Sequence, residues 1–283
     1  MKKVILSSLL CFSMFAQGQV QTPKASPVAK VQQRVGLTDI TISYSRPAVN
    51  GRVIFGDLIP FGERWRLGAN ENTKFQTSDD LNFETGLLKK GTYAIYATPN
   101  NDHWLIEFYS DTTNWGLPET WDEQKVVLRL KAGLEKPRMT AENLTIGIEK
   151  MEFNGAELVM AWEEMNVRFP FTVNTKEKVL ASIDQTMKSK NITANDYHAA
   201  AGYYYSEKLD LKQALSWSEK AVELKGESAY WMTRLLAQLK AANGDYKGAM
   251  ETAKNSLNEA KKQGDENYVK MNQQSMEEWS KKK

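Results

Sequence analysis

The sequence is poor in the side chains that carry covalent and metal chemistry. It has one cysteine, Cys11, and two histidines, His103 and His198, in 283 residues. Cys11 sits in an apolar N-terminal run, and neither histidine has a second histidine or a paired acid at ligand spacing. Thiol catalysis, cysteine-based metal sites and a disulfide framework are therefore not expected. No Gly-x-Ser-x-Gly elbow, phosphate-cradling glycine loop or zincin pattern occurs, so the sequence offers no catalytic residue, no metal ligand and no cofactor. A surplus of one charge is also missing: Lys and Arg total 37 against 35 Asp and Glu. That balance argues against nucleic acid and anionic membranes as general partners, because neutralising phosphates takes an excess of cations.

The apolar stretch from Val4 to Phe15 is too short to span a bilayer, which needs about 20 residues. Lys2 and Lys3 precede it and the small-x-small triplet Ala16-Gln17-Gly18 follows it. Residues 1–18 thus read as a signal peptide cleaved before Gln19. Cleavage would remove the lone cysteine and two lysines, leaving a thiol-free, formally neutral chain with no membrane span. The expected location is the periplasm, the cell surface or the medium.

What is present reads as globular. With 41% hydrophobic and 25% charged residues the chain can bury real cores, and its length exceeds the usual single domain. Residues 19–30 form a polar lead. From 31 to 173 the pattern has period two: Ile40, Ile42 and Tyr44 alternate with Thr41, Ser43 and Ser45, and Leu144, Ile146 and Ile148 with Thr145 and Gly147. Such alternation puts one face in a core, and many short strands parted by turn signals such as Asn154-Gly155 predict a β-sandwich. From 174 to 283 the pattern is helical. Asn174 with Glu177, Thr193 with Asp196, and Asp210 with Gln213 are helix-start signatures, and helices are expected at about 175–189, 194–207, 211–224, 229–242, 246–262 and 266–280. The fold class expected is α+β multidomain, an all-β sandwich followed by an α-helical hairpin array.

The helical part repeats: Asp210, Lys212 and Ala214 recur as Asp245, Lys247 and Ala249. With Gly202, Tyr205 and Ala221 at small and aromatic positions, it resembles tetratricopeptide hairpins, whose concave faces take protein or peptide partners. In the β part, Tyr44-Ser45-Arg46-Pro47, Gly51 to Pro60, Trp65 to Glu71, Lys90 to Pro99 and Asn114-Trp115-Gly116 resemble, in order, the bacterial family called domain of unknown function 2911. The resemblance covers about Pro23 to Thr172 and implies export and a C-terminal helical segment. Lys89-Lys90 departs from the family's usual Pro-Ala. The family has no assigned activity, so the resemblance transfers no catalytic role.

Arg46, Arg52, Arg64 and Arg66 crowd one loop-rich stretch with Trp65, Asn70 and Glu71. Guanidinium forks bind carboxylate, phosphate or sulfate, and an indole gives a sugar ring a stacking face. Arg46, Arg52, Trp65, Arg66, Asn70 and Glu71 are therefore the candidate site for an anionic or carbohydrate-like ligand. The competing reading is structural, with Arg66 paired to Glu71 or Asp57 to hold the loop and Trp104, Trp115, Trp121 and Trp162 serving as core and loop anchors. A carboxylate-dependent envelope hydrolase acting on a glycan is the alternative function. It needs two acids about 5 to 9.5 Å apart in one cleft.

Overall fold

The computed structural model describes residues 22–135, 140–226 and 228–282. The expected signal peptide, Cys11 and the start of the polar lead lie outside the described residues. The chain divides into two compact units after Thr175.

The first unit is built from β1 (Val28–Val35), β2 (Thr38–Ser45), β3 (Thr73–Thr77), β4 (Leu81–Phe83), β5 (Gly86–Leu88), β6 (Gly91–Pro99), β7 (His103–Tyr109), β8 (Val126–Gly133), β9 (Ala141–Glu152), β10 (Gly155–Glu163) and β11 (Met165–Val173). They form two sheets, ordered β1-β2-β3-β6-β7-β8 and β5-β4-β11-β10-β9. All these pairings are antiparallel. Alternation explains the layering. Ile40, Ile42 and Tyr44 of β2 are buried, as are Leu144, Ile146 and Ile148 of β9, and both sets join one core with Phe75, Trp104, Phe108, Leu158 and Trp162. β1 begins at Val28, inside the segment read as polar lead. Its Gln32, Gln33 and Arg34 suit a sheet edge, where one side of the strand meets water. Gly36 turns β1 into β2 at φ 56°, and a Cβ there would collide with the Thr175 hydroxyl and the Phe153 carbonyl, so only glycine fits.

β9 is the other kind of edge, and the chain leaving β2 seals it. The Tyr44 hydroxyl accepts from the Ile146 N–H at 2.9 Å and donates to the Ile146 carbonyl at 3.2 Å. Beyond it, Leu144 N–H donates to the Pro47 carbonyl (3.0 Å) and Val49 N–H to the Glu142 carbonyl (2.7 Å). Unpaired edge groups that face protein must find partners, and this seam supplies them across the two sheets. Replacing Tyr44 with Phe keeps the ring and strands two buried backbone groups. We expect a loss of about 1–2 kcal/mol in urea unfolding, against no measurable loss if water takes the hydroxyl's place.

On the outer face of the second sheet, Arg168 of β11 pairs with Glu135 (2.8 Å), Glu149 (2.9 Å) and Glu157 (3.1 Å), while Lys150 reaches Glu157 at 2.8 Å. The Lys150 hydrogen bond, helped by Arg168, pulls the Glu157 carboxyl below its ordinary 4.5 despite burial that works the other way. A carboxyl depressed in the folded state adds stability that is complete above its unfolded pKa and disappears as pH falls through the folded value. Glu157→Gln should therefore cost stability at neutral pH and flatten the decline below about pH 4.5, as read in urea titrations across the acid range. Parallel stability-against-pH curves for the two proteins would contradict this.

The second unit, from Lys176, takes in all but the first residue of α1 (Thr175–Met187) and then α2 (Ala194–Ser206), α3 (Leu211–Lys225), α4 (Tyr230–Ala242), α5 (Tyr246–Lys262) and α6 (Glu266–Ser280). Their bounds fall within two residues of those expected. Thr193 and Asp196 form a capping box on α2, and Asp210, Asp245 and Asp265 cap α3, α5 and α6, each accepting first-turn N–H groups. From α2 onward each helix packs on the next. Ala201, Ala214, Ala221, Ala237, Ala249, Ala253 and Ala260 are all fully buried, and such small side chains let helix axes come close. Among the described residues, no helix is long and apolar enough to cross a membrane, and no cluster of three metal-ligating side chains occurs.

Candidate functional site

The connection 46–72, between β2 and β3, packs against the core of the two-sheet domain. Its apolar residues anchor it: Ile54, Phe55, Trp65 and Leu67 are buried in the sheet core. Trp65 exchanges backbone hydrogen bonds with Ala97 of β6 (2.7 and 2.9 Å), and its indole N–H donates to the Gly68 carbonyl (3.0 Å). Its ring stacks on Trp162 at 5.5 Å and 22°, with Phe55 edge-on to both. Leu67 adopts φ 52°, a left-handed conformation that a branched side chain adopts at a cost of about 1–3 kcal/mol. That twist buries Leu67 while the neighbouring Arg66 lines the cleft. Gly68 follows at φ 148°, where a Cβ would stand 3.0 Å from the Ser45 carbonyl oxygen.

The loop walls a cavity of about 420 Å³ that includes Arg52, Pro60, Glu63, Arg64, Trp65, Arg66, Leu117 and Trp162. A second cavity of about 760 Å³ includes Arg66, Asp111, Asn114, Trp115, Leu117, Glu119 and Lys125. Arg66 and Leu117 line both, so the two are neighbouring compartments of one cleft.

The arginines differ in what they are already holding. Arg64 gives a forked pair of hydrogen bonds to Glu107 (2.7 and 3.3 Å) and lies 3.6 Å above the Trp121 ring. Glu107, only 4% exposed, also accepts from Arg129 at 2.8 Å, and Arg129 in turn pairs with Glu123. Arg46 belongs to the β9 seam, donating to the Leu144 carbonyl and the Thr145 hydroxyl (both 2.9 Å). Arg52 donates to the Val49 and Ala48 carbonyls (3.0 and 2.5 Å), and among the described residues no carboxylate pairs with it. Arg66 has a buried Nε with no hydrogen-bond partner, and among the described residues no acid pairs with it. The expected pairing of Arg66 with Glu71 or Asp57 is not made. Glu71 is solvent-facing and pairs with Lys74 at 3.7 Å. A buried, unpaired guanidinium nitrogen is costly, and such orphan groups call for a physical explanation.

Of the six candidate residues, Arg52, Trp65 and Arg66 line one cavity. Asn70 and Glu71 line a separate one of about 250 Å³ with Lys24, Tyr44 and Lys74, and Asn70 Nδ2 donates to the Ser26 carbonyl and the Ser45 hydroxyl (both 3.2 Å). Arg46 lies at the seam. The sequence reading missed the opposite wall, Trp115 and Leu117. Trp115, expected as a core or loop anchor, is 66% exposed and has no aromatic ring packed on it among the described residues. The run Asn114-Trp115-Gly116-Leu117-Pro118 carried the signal, since an indole set among turn formers is poorly placed for a core.

That wall is held from below. Tyr96 of β6 is fully buried, and burial raises its pKa so that the hydroxyl keeps its proton. The hydroxyl donates to the Gly116 carbonyl (3.0 Å) and accepts from Asn72 Nδ2 (3.3 Å). A Cβ at Gly116 would stand 3.4 Å from Arg66 Cδ, so the absence of a side chain there keeps the space beside Arg66 open. In the second cavity the Thr113 hydroxyl, then Lys125 at 2.9 Å, hold the Asp111 carboxyl well below the usual range.

A two-sheet domain with a loop-walled cleft and an uncommitted arginine defines a class of architecture without a reaction. The chain belongs to the family described as Protein of unknown function (DUF2911), whose model matches residues 26–171, just over half of it. No curated protein and no solved structure matches the chain.

Proposed function

We propose that this chain is an exported envelope protein, periplasmic or at the cell surface, whose two-sheet domain binds an anionic, carbohydrate-like ligand at Arg66. The observation that carries the reading is Arg66 itself, a cation lining both compartments of a cleft with its Nε buried and unpartnered. Exposed apolar residues on the rim of the first compartment, Leu58 and Leu117, give the ligand's carbon skeleton a place to lie. The C-terminal helices, as tetratricopeptide-like hairpins, form a surface for a protein or peptide partner. Asp210 and Asp245 recur as the caps of α3 and α5, and a cavity of about 340 Å³ among Tyr205, Gln238, Tyr246, Trp279 and Lys282 could receive a partner side chain. Binding ranks ahead of glycan hydrolysis because the cleft's carboxylates are dispersed: Glu63 lines the first compartment and Glu119 the second, while Asp111 is held by Thr113 and Lys125, so neither compartment offers the two free acids that hydrolysis needs.

The test is calorimetric titration of the protein with glucuronate. Arg66→Ala should lower the affinity about 10- to 100-fold, since the ligand loses a charge-assisted fork worth about 1.5–3 kcal/mol. Arg66→Lys, which keeps the charge without the fork, should recover part of it. Thermal stability should hold, because no described hydrogen bond of Arg66 is lost. Equal affinity in wild type and Arg66→Ala, or collapse of the fold in Arg66→Ala, would overturn the proposal.

A further inference from the structure

We infer that the ligand is an oligosaccharide in which a uronic acid adjoins a neutral sugar, the carboxylate held at Arg66 and the neutral ring laid on Trp115. This rests on the reading of Arg66 given above and adds the class of ligand and a second point of contact.

Charge accounting within each compartment sets the sequence of units. In the first, Arg64 is offset by Glu107, which leaves Arg52 and Arg66 facing Glu63. No described cation pairs with Glu63. The balance is one positive charge, which suits a monoanion such as a carboxylate and leaves little to hold a second anionic group. The second compartment has the opposite character. Lys125 is taken up by Asp111 at 2.9 Å, and Glu119 has no pairing cation among the described residues. Apart from the shared Arg66 its charges therefore sum to one negative, which repels an anion and offers good acceptors to hydroxyl donors.

Shape agrees with charge. Trp115, the most exposed of the large apolar side chains in this region, stands in the compartment whose charge suits a neutral, hydroxyl-rich ring. An indole face unpaired with other rings meets the C–H face of a pyranose, and carboxylates beside it take the ring's hydroxyls, the usual division of labour in a small-molecule site. Because Arg66 and Leu117 line both compartments, the two units need no long linker and can be adjacent in one chain. Tyr96, gripping Gly116 from beneath, fixes the spacing between the Arg66 fork and the Trp115 ring.

The experiment compares three probes by calorimetry on the full protein: glucuronate, glucuronate linked to a neutral sugar, and digalacturonate. The mixed disaccharide should bind about tenfold more tightly than glucuronate, and digalacturonate should gain less. Trp115→Ala should abolish the tenfold gain and leave glucuronate binding as it was. Trp115 is exposed, so the variant should keep the wild-type circular dichroism spectrum. If the neutral unit adds nothing, or the gain survives in Trp115→Ala, the second contact is refuted while glucuronate binding at Arg66 still stands. If glucuronate itself does not bind, both this inference and the underlying reading fail.

Discussion

Trp162→Ala will lower the unfolding free energy by about 3–5 kcal/mol, the largest single effect we expect in the two-sheet domain. The residue is 1% exposed near the end of β10, and its ring carries the stacked Trp65 and the edge of Phe55. Truncation removes most of a buried indole's contacts and opens a void that two flanking aromatic residues can fill only in part. The same ring lines the Arg66 cavity, so the loop carrying Trp65 and Arg66 should loosen and ligand affinity should fall as well. Phe at this position should be far milder. It keeps the ring and removes an indole N–H that is buried without a partner. Urea unfolding monitored by near-ultraviolet circular dichroism gives both comparisons. A cost below about 1 kcal/mol for the alanine variant would mean that the loop does not rest on this ring.

The second large effect is at Glu107. Glu107→Gln should cost about 2–3 kcal/mol, because one buried carboxylate accepts from both Arg64 and Arg129 and an amide can satisfy neither as an anion does. Part of the loss is recoverable, since both arginines retain access to water and Arg129 retains Glu123. The functional consequence has the opposite sign. Releasing Arg64 adds an uncompensated cation to a cavity it already lines, so glucuronate should bind more tightly to the less stable protein. A destabilised variant with unchanged or weaker anion binding would show that Arg64 stays fixed over Trp121 without its carboxylate.

Local signals carried the helices. Their periodicity and their aspartate and threonine caps lie within a few residues, which is why the expected bounds agree with those of α1 to α6. The two sheets were likewise legible in the alternation of β2 and β9. β4 and β5 were not, because three residues are too few to establish a period. β1 was missed because an edge strand carrying Gln and Arg resembles a polar lead.

The candidate site divides for the same reason. Arg52, Trp65 and Arg66 belong to one connection, and closeness in sequence brought them to one cavity. Arg46 was drawn away by partners on β9, about a hundred residues further on, which no local pattern announces. The left-handed turn at Leu67, followed by Asn70 at φ 59°, sends Asn70 and Glu71 to a different face. Charge commitment was least legible of all. The four arginines look alike in sequence: the distant Glu107 and the Leu144 carbonyl occupy Arg64 and Arg46, the nearby Ala48 and Val49 carbonyls occupy Arg52, and Arg66 is left with no partner among the described residues.

Arginine side-chain nuclear magnetic resonance addresses that distinction at the atom concerned. In a titration of the protein with glucuronate, the Arg66 Nε–H signal should shift as the guanidinium takes the carboxylate, while Arg64, already held by Glu107, stays in place. A saturating titration in which Arg66 Nε–H remains unmoved would contradict the account of the cleft as an anion site.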